Sequence, residues 1–194
     1  VEKLSQSYEH IKPEAVGNRR DFIVSELSGR GNIRLFAQKL GIELVGREGE
    51  LLSELKEREH RGYQFENAEG SLELLLRRKY SGNQHRPFSI LDSMVVSEWE
   101  QGSLESESRV RVTIKLAIAG TSKEIFSAAE GDGPIHAFDL ALKSALVPFY
   151  PQLERVQLPD YKVRILNPNQ ATSARTRVLI QAEADGQVWS AVGC

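Results

Sequence analysis

Apolar residues in the first half of the chain recur with the period of an α-helix. After the capping and turn residues 28–32, they occupy positions i, i+3, i+4 and i+7 until Gly41 ends the pattern. Two further stretches, at about 49–61 and 67–79, each carry a leucine-rich stripe beside charged positions. This half of the chain is therefore predicted to contain three short helices that form a small helical subdomain.

The hydrophobic period changes to two in the second half. The alternating run from Val110 to Ile118 places five apolar side chains on one face of a strand. Strands are also predicted on either side of it, at about 88–99 and 123–129, and a helix follows from Pro134, whose missing N–H suits a first helical turn. Three more strands are predicted after this helix, at 156–166, 175–184 and 187–192.

Short sequence matches indicate that the second half is duplicated. The tetrapeptide RVTI at 111–114 recurs as RVLI at 177–180, and a turn glycine follows each at the same distance. The third strand of each copy is aligned by matching FSA at 126–128 with WSA at 189–191. This alignment makes the hairpin before the third strand three residues shorter in the second copy than in the first. Self-similarity of this kind predicts a repeated strand-strand-strand-helix unit. By this alignment, the helix of the second copy is expected beyond residue 194.

The patterns together predict an α+β fold, in which a small helical subdomain is followed by a duplicated βββα domain that lacks its last helix. The stretch 80–87 breaks all periodicity and separates the two parts. Because the chain opens without a methionine and stops directly after a strand, further chain is expected on both sides. The predicted boundaries are 1–27 for a connecting segment, 28–86 for the helical subdomain and 87–194 for the duplicated domain.

Charge and composition exclude several classes of function. With 25 basic and 27 acidic side chains, the chain has a formal net charge of −2 and no field that would attract nucleic acid or an anionic membrane. It has neither a signal segment nor an apolar run of about 18–20 residues. The single cysteine, Cys194, cannot form a disulfide within the chain, so a cytoplasmic location is expected. The four histidines are isolated in the sequence, and no metal site is predicted in this chain.

The order helix-strand-strand-strand-helix is also that of a double-stranded RNA-binding domain. Such domains meet phosphates with lysines at the start of the last helix. Here that start reads PIHAFD at 134–139, and residues 87–194 carry 10 basic and 13 acidic side chains. The sequence therefore argues against RNA binding.

Five ordered motifs carry a resemblance to a known enzyme family. They are YEHIKPEAVGNRR (8–20), VSELSGRGNI (24–33), GYQFE (62–66), EGDGPIHAFDLAL (130–142) and DYKVRIL (160–166). Together they resemble the C-terminal part of the citramalate synthases, which belong with 2-isopropylmalate synthase and homocitrate synthase among the acyl-CoA Claisen-condensing enzymes. The resemblance covers nearly the whole chain.

The resemblance implies that catalysis takes place in an N-terminal TIM barrel that this chain lacks. A barrel of that kind needs about 250 residues. In the family it binds a divalent metal and condenses acetyl-CoA with pyruvate to give citramalate, on the way to isoleucine. This chain alone is then expected to be inactive and to need no cofactor. Tyr8 falls where similar enzymes place a tyrosine near the oxo-acid substrate, although an aromatic anchor for the connecting segment is an open alternative.

The resemblance also implies that the duplicated domain is an allosteric dimerisation domain that forms a homodimer and binds a branched-chain amino acid. Glycines beside a helix start let backbone N–H groups approach a carboxylate, which the helix dipole favours. Asp132 either holds the ammonium group of the effector or caps the helix. The predicted effector-binding residues are Gly131, Asp132, Gly133, Pro134, Ile135 and Ala137.

Two alternatives stay open at this point. A citramalate synthase implies isoleucine as the effector, whereas a 2-isopropylmalate synthase implies leucine, and the difference depends on pocket shape that spacing does not show. A free-standing amino-acid-binding module is the other alternative. The motif that begins at Tyr8 argues against it, because a free module has little use for a segment that adjoins a barrel.

Overall fold

The computed structural model describes residues 11, 13–17, 30–80, 86–98 and 109–194. Within these residues, four α-helices and two three-stranded antiparallel sheets form the predicted α+β fold, and no barrel is present. Tyr8 and residues 99–108, which connect the first two predicted strands, lie outside the described residues.

The helices and strands closely follow the bounds expected from the hydrophobic pattern. The helices are α1 (Arg30–Lys39), α2 (Glu48–His60), α3 (Glu69–Tyr80) and α4 (Pro134–Leu146). The strands are β1 (Phe88–Glu98), β2 (Arg109–Ile118), β3 (Glu124–Gly131), β4 (Gln157–Ile165), β5 (Thr176–Ala184) and β6 (Gln187–Gly193).

Helices α1 to α3 with their connecting turns, residues 30–80, form a helical unit around one apolar core. Each helix buries one apolar stripe, and most of its charged positions are exposed, as its periodicity requires. Glu48, at the start of α2, is buried and pairs with Arg34 at 2.8 Å. Val192, from β6 of the second sheet, also packs against this core. The buried residues of the core are Ile33, Phe36, Ala37, Ile42, Leu44, Leu51, Leu55, Phe65, Leu72, Leu75 and Leu76.

The turns that lead into α2 and α3 have the same structure. Segments 41–55 and 62–76 share one spacing of glycine, apolar, acidic and leucine positions, 21 residues apart. Both begin with a glycine at positive φ, and both enter the helix through equivalent backbone hydrogen bonds, Arg47 N to Leu44 O and Ala68 N to Phe65 O. Where the residue type is also the same, as at Gly49 and Gly70, equivalent positions of α2 and α3 can be compared directly for what surrounds them.

The first sheet has the order β1-β2-β3, and α4 packs across β2 and β3. The five alternating residues of β2 face α4 and are all buried, as the pattern predicts. α4 meets them with alanines spaced one turn apart, which let the helix lie close to the sheet. The buried residues here are Val110, Val112, Ile114, Leu116, Ile118, Ala137, Ala141, Ala145 and Leu146.

The second sheet, of order β4-β5-β6, repeats the topology of the first. In both sheets the pairing register shifts just before an aspartate of the first strand, Asp92 in β1 and Asp160 in β4. Arg111 and Arg177 occupy equivalent places in the two central strands, so the predicted duplication is visible in the fold.

The sequence alignment of the third strands is wrong by one residue. Ile114 pairs with Ser127, whereas its equivalent Ile180 pairs with Ala191, so Trp189 corresponds to Ile125 and not to Phe126. The cause is the second hairpin, a tight Asp-Gly turn with positive φ at both residues, which is two residues shorter than the first hairpin and not three. A one-residue slip exchanges the two faces of a strand.

The second sheet exposes the face that corresponds to the α4-covered face of the first. Among the described residues, no helix packs on it in the way that α4 packs on β2 and β3. Its opposite face packs on the helical unit, mainly through β6 and α3. The exposed apolar side chains of the uncovered face are Tyr161, Val163, Ile165, Ile180 and Trp189.

Candidate functional site

The predicted effector-binding segment connects β3 to α4 and forms what we call the GDGP turn, residues 131–134. Gly131 ends β3, and Gly133 is the N-cap of α4. A Cβ at Gly131 would lie 2.7 Å from Ala137 N, so only glycine allows the strand to pass this close to the helix. Gly133 has an extended backbone with φ of −163° and open space around it.

Asp132 does not cap α4, which corrects one of the two roles expected from the sequence. The N-cap position belongs to Gly133, and no side chain makes a capping hydrogen bond there. The Asp132 side chain is 99% exposed, with a carboxylate oxygen 3.4 Å from His136 Nδ1. Its backbone N–H donates to the same His136 nitrogen at 3.4 Å. His136 therefore closes the turn, a contact that residue spacing alone did not predict.

The start of α4 has the electrostatics of an anion site. The first helical hydrogen bond runs from Ala137 N to Gly133 O at 3.0 Å, so the N–H groups of Ile135 and His136 precede the helical ladder. The positive end of a 13-residue helix lies at the same place. Ile135 is 37% exposed beside it, whereas the side chain of Ala137 is fully buried against the sheet. A carboxylate at this turn would meet backbone donors, with an apolar side chain close by.

A second site, which the sequence analysis missed, lies between the helical unit and the second sheet. We call it the junction, and it comprises Gly62, Gln64, Gly70 and Ser71 on the helical side and Arg177, Ser190 and Val192 on the sheet side. The Arg177 guanidinium donates to Gly62 O and to Gln64 Oε1. The spacing of these residues gives no signal, since they lie more than 110 positions apart.

The hydroxyl of Ser71 forms hydrogen bonds with the backbone of β6 at the junction. Ser71 Oγ accepts from Val192 N at 2.9 Å and donates to Val192 O at 3.5 Å. A Cβ at Gly70 would lie 2.8 Å from Ser190 O, so the α3 backbone approaches β6 more closely than any other residue type would permit. A cleft of about 470 Å³ opens beside these atoms, and Arg78 and Arg86 contribute to its lining.

Lys79 joins α2 to α3 next to this cleft. Its ammonium group contacts Glu54 Oε2 at 2.5 Å and Glu50 Oε1 at 3.2 Å. The hydrogen bond from Lys79 holds the pKa of Glu50 below its ordinary value of 4.5. Burial acts to raise the pKa of Glu54, but hydrogen bonds from Lys79 and Arg58 outweigh it, and the pKa is lowered. The pKa of Lys79 is raised in turn, chiefly by Glu54.

The described residues also bear on metal and membrane binding. Across the described ranges, no three or more His, Cys, Asp or Glu side chains come together as metal ligands would. The same part of the chain contains no helix with the length and apolar character that spanning a bilayer requires.

Comparison with known proteins agrees with the resemblance that the motifs indicated. Residues 66–194 match the family model of the LeuA allosteric (dimerisation) domain. The chain is 39% identical to an (R)-citramalate synthase of Geobacter sulfurreducens and 40% identical to one of Aquifex aeolicus, in each case over 100% of this chain and 36% of the relative. A Sulfolobus acidocaldarius (R)-citramalate synthase is 33% identical over the same share of the chain and 35% of its own length.

The family match begins at Glu66, between α2 and α3, and so includes α3 together with both sheets. The predicted boundary at residue 87 stays a prediction. The chain spans a little over a third of the length of the curated relatives it matches. The duplicated three-stranded sheets, the helix on the first of them and the agreement of the family model over two thirds of the sequence place this chain in the LeuA allosteric (dimerisation) domain family.

Proposed function

We propose that this chain is the regulatory and dimerisation part of an (R)-citramalate synthase. The observation that carries the proposal is that the whole chain aligns with curated (R)-citramalate synthases at about 40% identity. Within that alignment, residues 66–194 match a domain described as allosteric and dimerising. The 2-isopropylmalate synthase alternative receives less support, because the relatives with high identity carry the citramalate synthase name.

In the whole protein, a catalytic barrel would condense acetyl-CoA with pyruvate in the cytoplasm. A divalent metal would bind in that barrel. Tyr8 would approach the oxo-acid. The chain alone is expected to give no citramalate when it is mixed with pyruvate, acetyl-CoA and Mg²⁺, and measurable turnover by the purified chain would remove this part of the proposal.

We place the effector at the GDGP turn. The carboxylate of a branched-chain amino acid would accept from the first N–H groups of α4, where the helix dipole favours negative charge. The exposed carboxylate of Asp132 would hold the ammonium group, and exposed Ile135 would contact the aliphatic side chain. Isoleucine is the proposed effector, because citramalate is a precursor of that amino acid. The whole protein is proposed to be a homodimer.

Calorimetric titration of the full-length protein with isoleucine, leucine and valine tests this function. We expect isoleucine to bind most tightly. Asp132→Asn should weaken that binding about 10- to 100-fold, because it removes a charged hydrogen-bond partner of the ammonium group. Asp139→Asn is the matched control, since Asp139 lies within α4, close in sequence to Asp132, and its carboxylate pairs with Lys143 at 2.8 Å. Absence of binding by all three amino acids would refute the effector role.

A further inference from the structure

The two copies of the duplicated unit use the same arginine differently. In the second sheet, Arg177 leaves its own sheet and binds the Gly62–Gln64 turn of the helical unit. In the first sheet, the equivalent Arg111 pairs with Glu130 on the neighbouring strand at 2.7 Å. The contact of Arg177 with the helical unit is therefore a property of one copy, and is not inherited from the repeated sequence.

The helical unit shows the same asymmetry between its repeated turns. Gly70 in α3 and Gly49 in α2 occupy equivalent positions 21 residues apart. A Cβ at Gly70 would collide with Ser190 O at 2.8 Å, whereas nothing lies within 4 Å of a Cβ at Gly49. Glycine is thus required by close approach at the position that faces the second sheet, and not at its counterpart.

Contacts at the junction leave little freedom for the sheet to slide over the helix. The hydroxyl of Ser71 engages both backbone groups of Val192, and the Val192 side chain packs against the core of the helical unit. Closely packed elements transmit displacement because their neighbours cannot compress. A shift of β6 would therefore carry α3 with it.

We infer that the junction transmits effector binding from the duplicated domain to the helical unit, with Arg177 as a positioning residue and Gly70 as the close-packing residue. This inference rests on the proposed function. Coupling of this kind requires a structural element with two arrangements, which effector and substrate bind with different affinities. We assign that role to the packed pair of α3 and β6.

Coupling is measured as the ratio of the isoleucine dissociation constants with and without saturating pyruvate, by calorimetry on the full-length protein. We expect a ratio that departs from 1 by roughly 5- to 150-fold in the wild type. Arg177→Gln and Gly70→Ala should bring the ratio close to 1 while isoleucine still binds. The matched controls Arg111→Gln and Gly49→Ala should keep the wild-type ratio. A purely structural role would lower the unfolding temperature and leave the ratio unchanged.

Each outcome of this experiment decides the inference. An unchanged ratio in both junction variants overturns the inference and leaves the proposed function intact. Loss of isoleucine binding in the junction variants, with binding retained in the controls, also overturns it, since these residues would then act on binding and not on transmission. A wild-type protein that fails to bind isoleucine removes the proposed function itself, and the inference falls with it.

Discussion

The two glycines of the GDGP turn are under different constraints. A Cβ at Gly131 would press on the backbone of Ala137, whereas a Cβ at Gly133 would meet open space. Because backbone atoms cannot move aside as a flexible side chain does, Gly131→Ala should lower the free energy of unfolding by about 1–3 kcal/mol. Gly133→Ala should cost less than about 1 kcal/mol, the difference between glycine and alanine at an N-cap. Urea unfolding of both variants measures this.

Equal losses in the two variants would contradict this account of the turn. They would show that the close approach of Gly131 to Ala137 does not determine the cost of adding a side chain at that position. The comparison also bears on the proposed effector site, because Gly133→Ala leaves the fold in place and adds a methyl group beside the start of α4.

The sequence predicted the contacts of individual residues less well than it predicted helices and strands. The GDGP turn was correctly placed between a strand and a helix, but the capping role offered for Asp132 is wrong. Capping depends on the backbone angles of a single residue, and the helix begins one position later than an Asp132 cap requires. The His136 contact and the Gly131 close approach depend on three-dimensional neighbours.

At the scale of elements, the contact between α2 and α3 should weaken in acid. The pKa values of Glu50 and Glu54 are lowered in the fold, so both carboxylates contribute stability above their ordinary pKa of 4.5. That stability is lost as the pH falls through the folded-state values. Lys79→Gln removes the shared partner, so the variant should lose less stability than the wild type between about pH 5 and pH 3.

Urea unfolding at a series of pH values, followed by the helical circular dichroism signal, measures that difference. Arg61→Gln is the control, because it removes a cation from the exposed pair that Arg61 makes with Glu57 and leaves the Lys79 contacts alone. Identical pH dependence in the wild type and the Lys79 variant would show that the two carboxylates are not held by Lys79 in solution.

Helices and strands were predicted well because the hydrophobic patterns that indicate them are local in the sequence. Period 3.6 and period 2 identified the α-helices and strands found in the described residues, but not the short 3-10 helices at 13–16, 151–155 and 168–173. Strand register was not predicted, since it depends on the number of residues in each turn, and the one-residue error at Trp189 exchanged its face. The repeat of the two helical turns was missed, although its glycine and leucine spacing is present in the sequence.

At the scale of the whole molecule, the described residues form two separate apolar cores. One lies within the helical unit and receives Val192 from the second sheet, and the other lies between the first sheet and α4. The periodicities predicted the apolar faces of the helices and of β2 that form these cores. They did not predict that the second sheet would depend on the helical unit for its packing, because nothing local indicates which face of a strand a distant element covers.

Because the two cores are separate, we expect the parts of the chain that contain them to unfold independently. Leu55 and Leu116 are both fully buried, one in each core. Leu55→Ala and Leu116→Ala should each cost about 2–5 kcal/mol within their own core. Amide hydrogen exchange followed by mass spectrometry resolves the location of that loss. Leu116→Ala should speed exchange in β2 and α4 and leave α2 protected, and Leu55→Ala should do the reverse. If either variant speeds exchange equally in α2 and β2, the chain unfolds as one cooperative body, and the separation of the cores has no thermodynamic meaning.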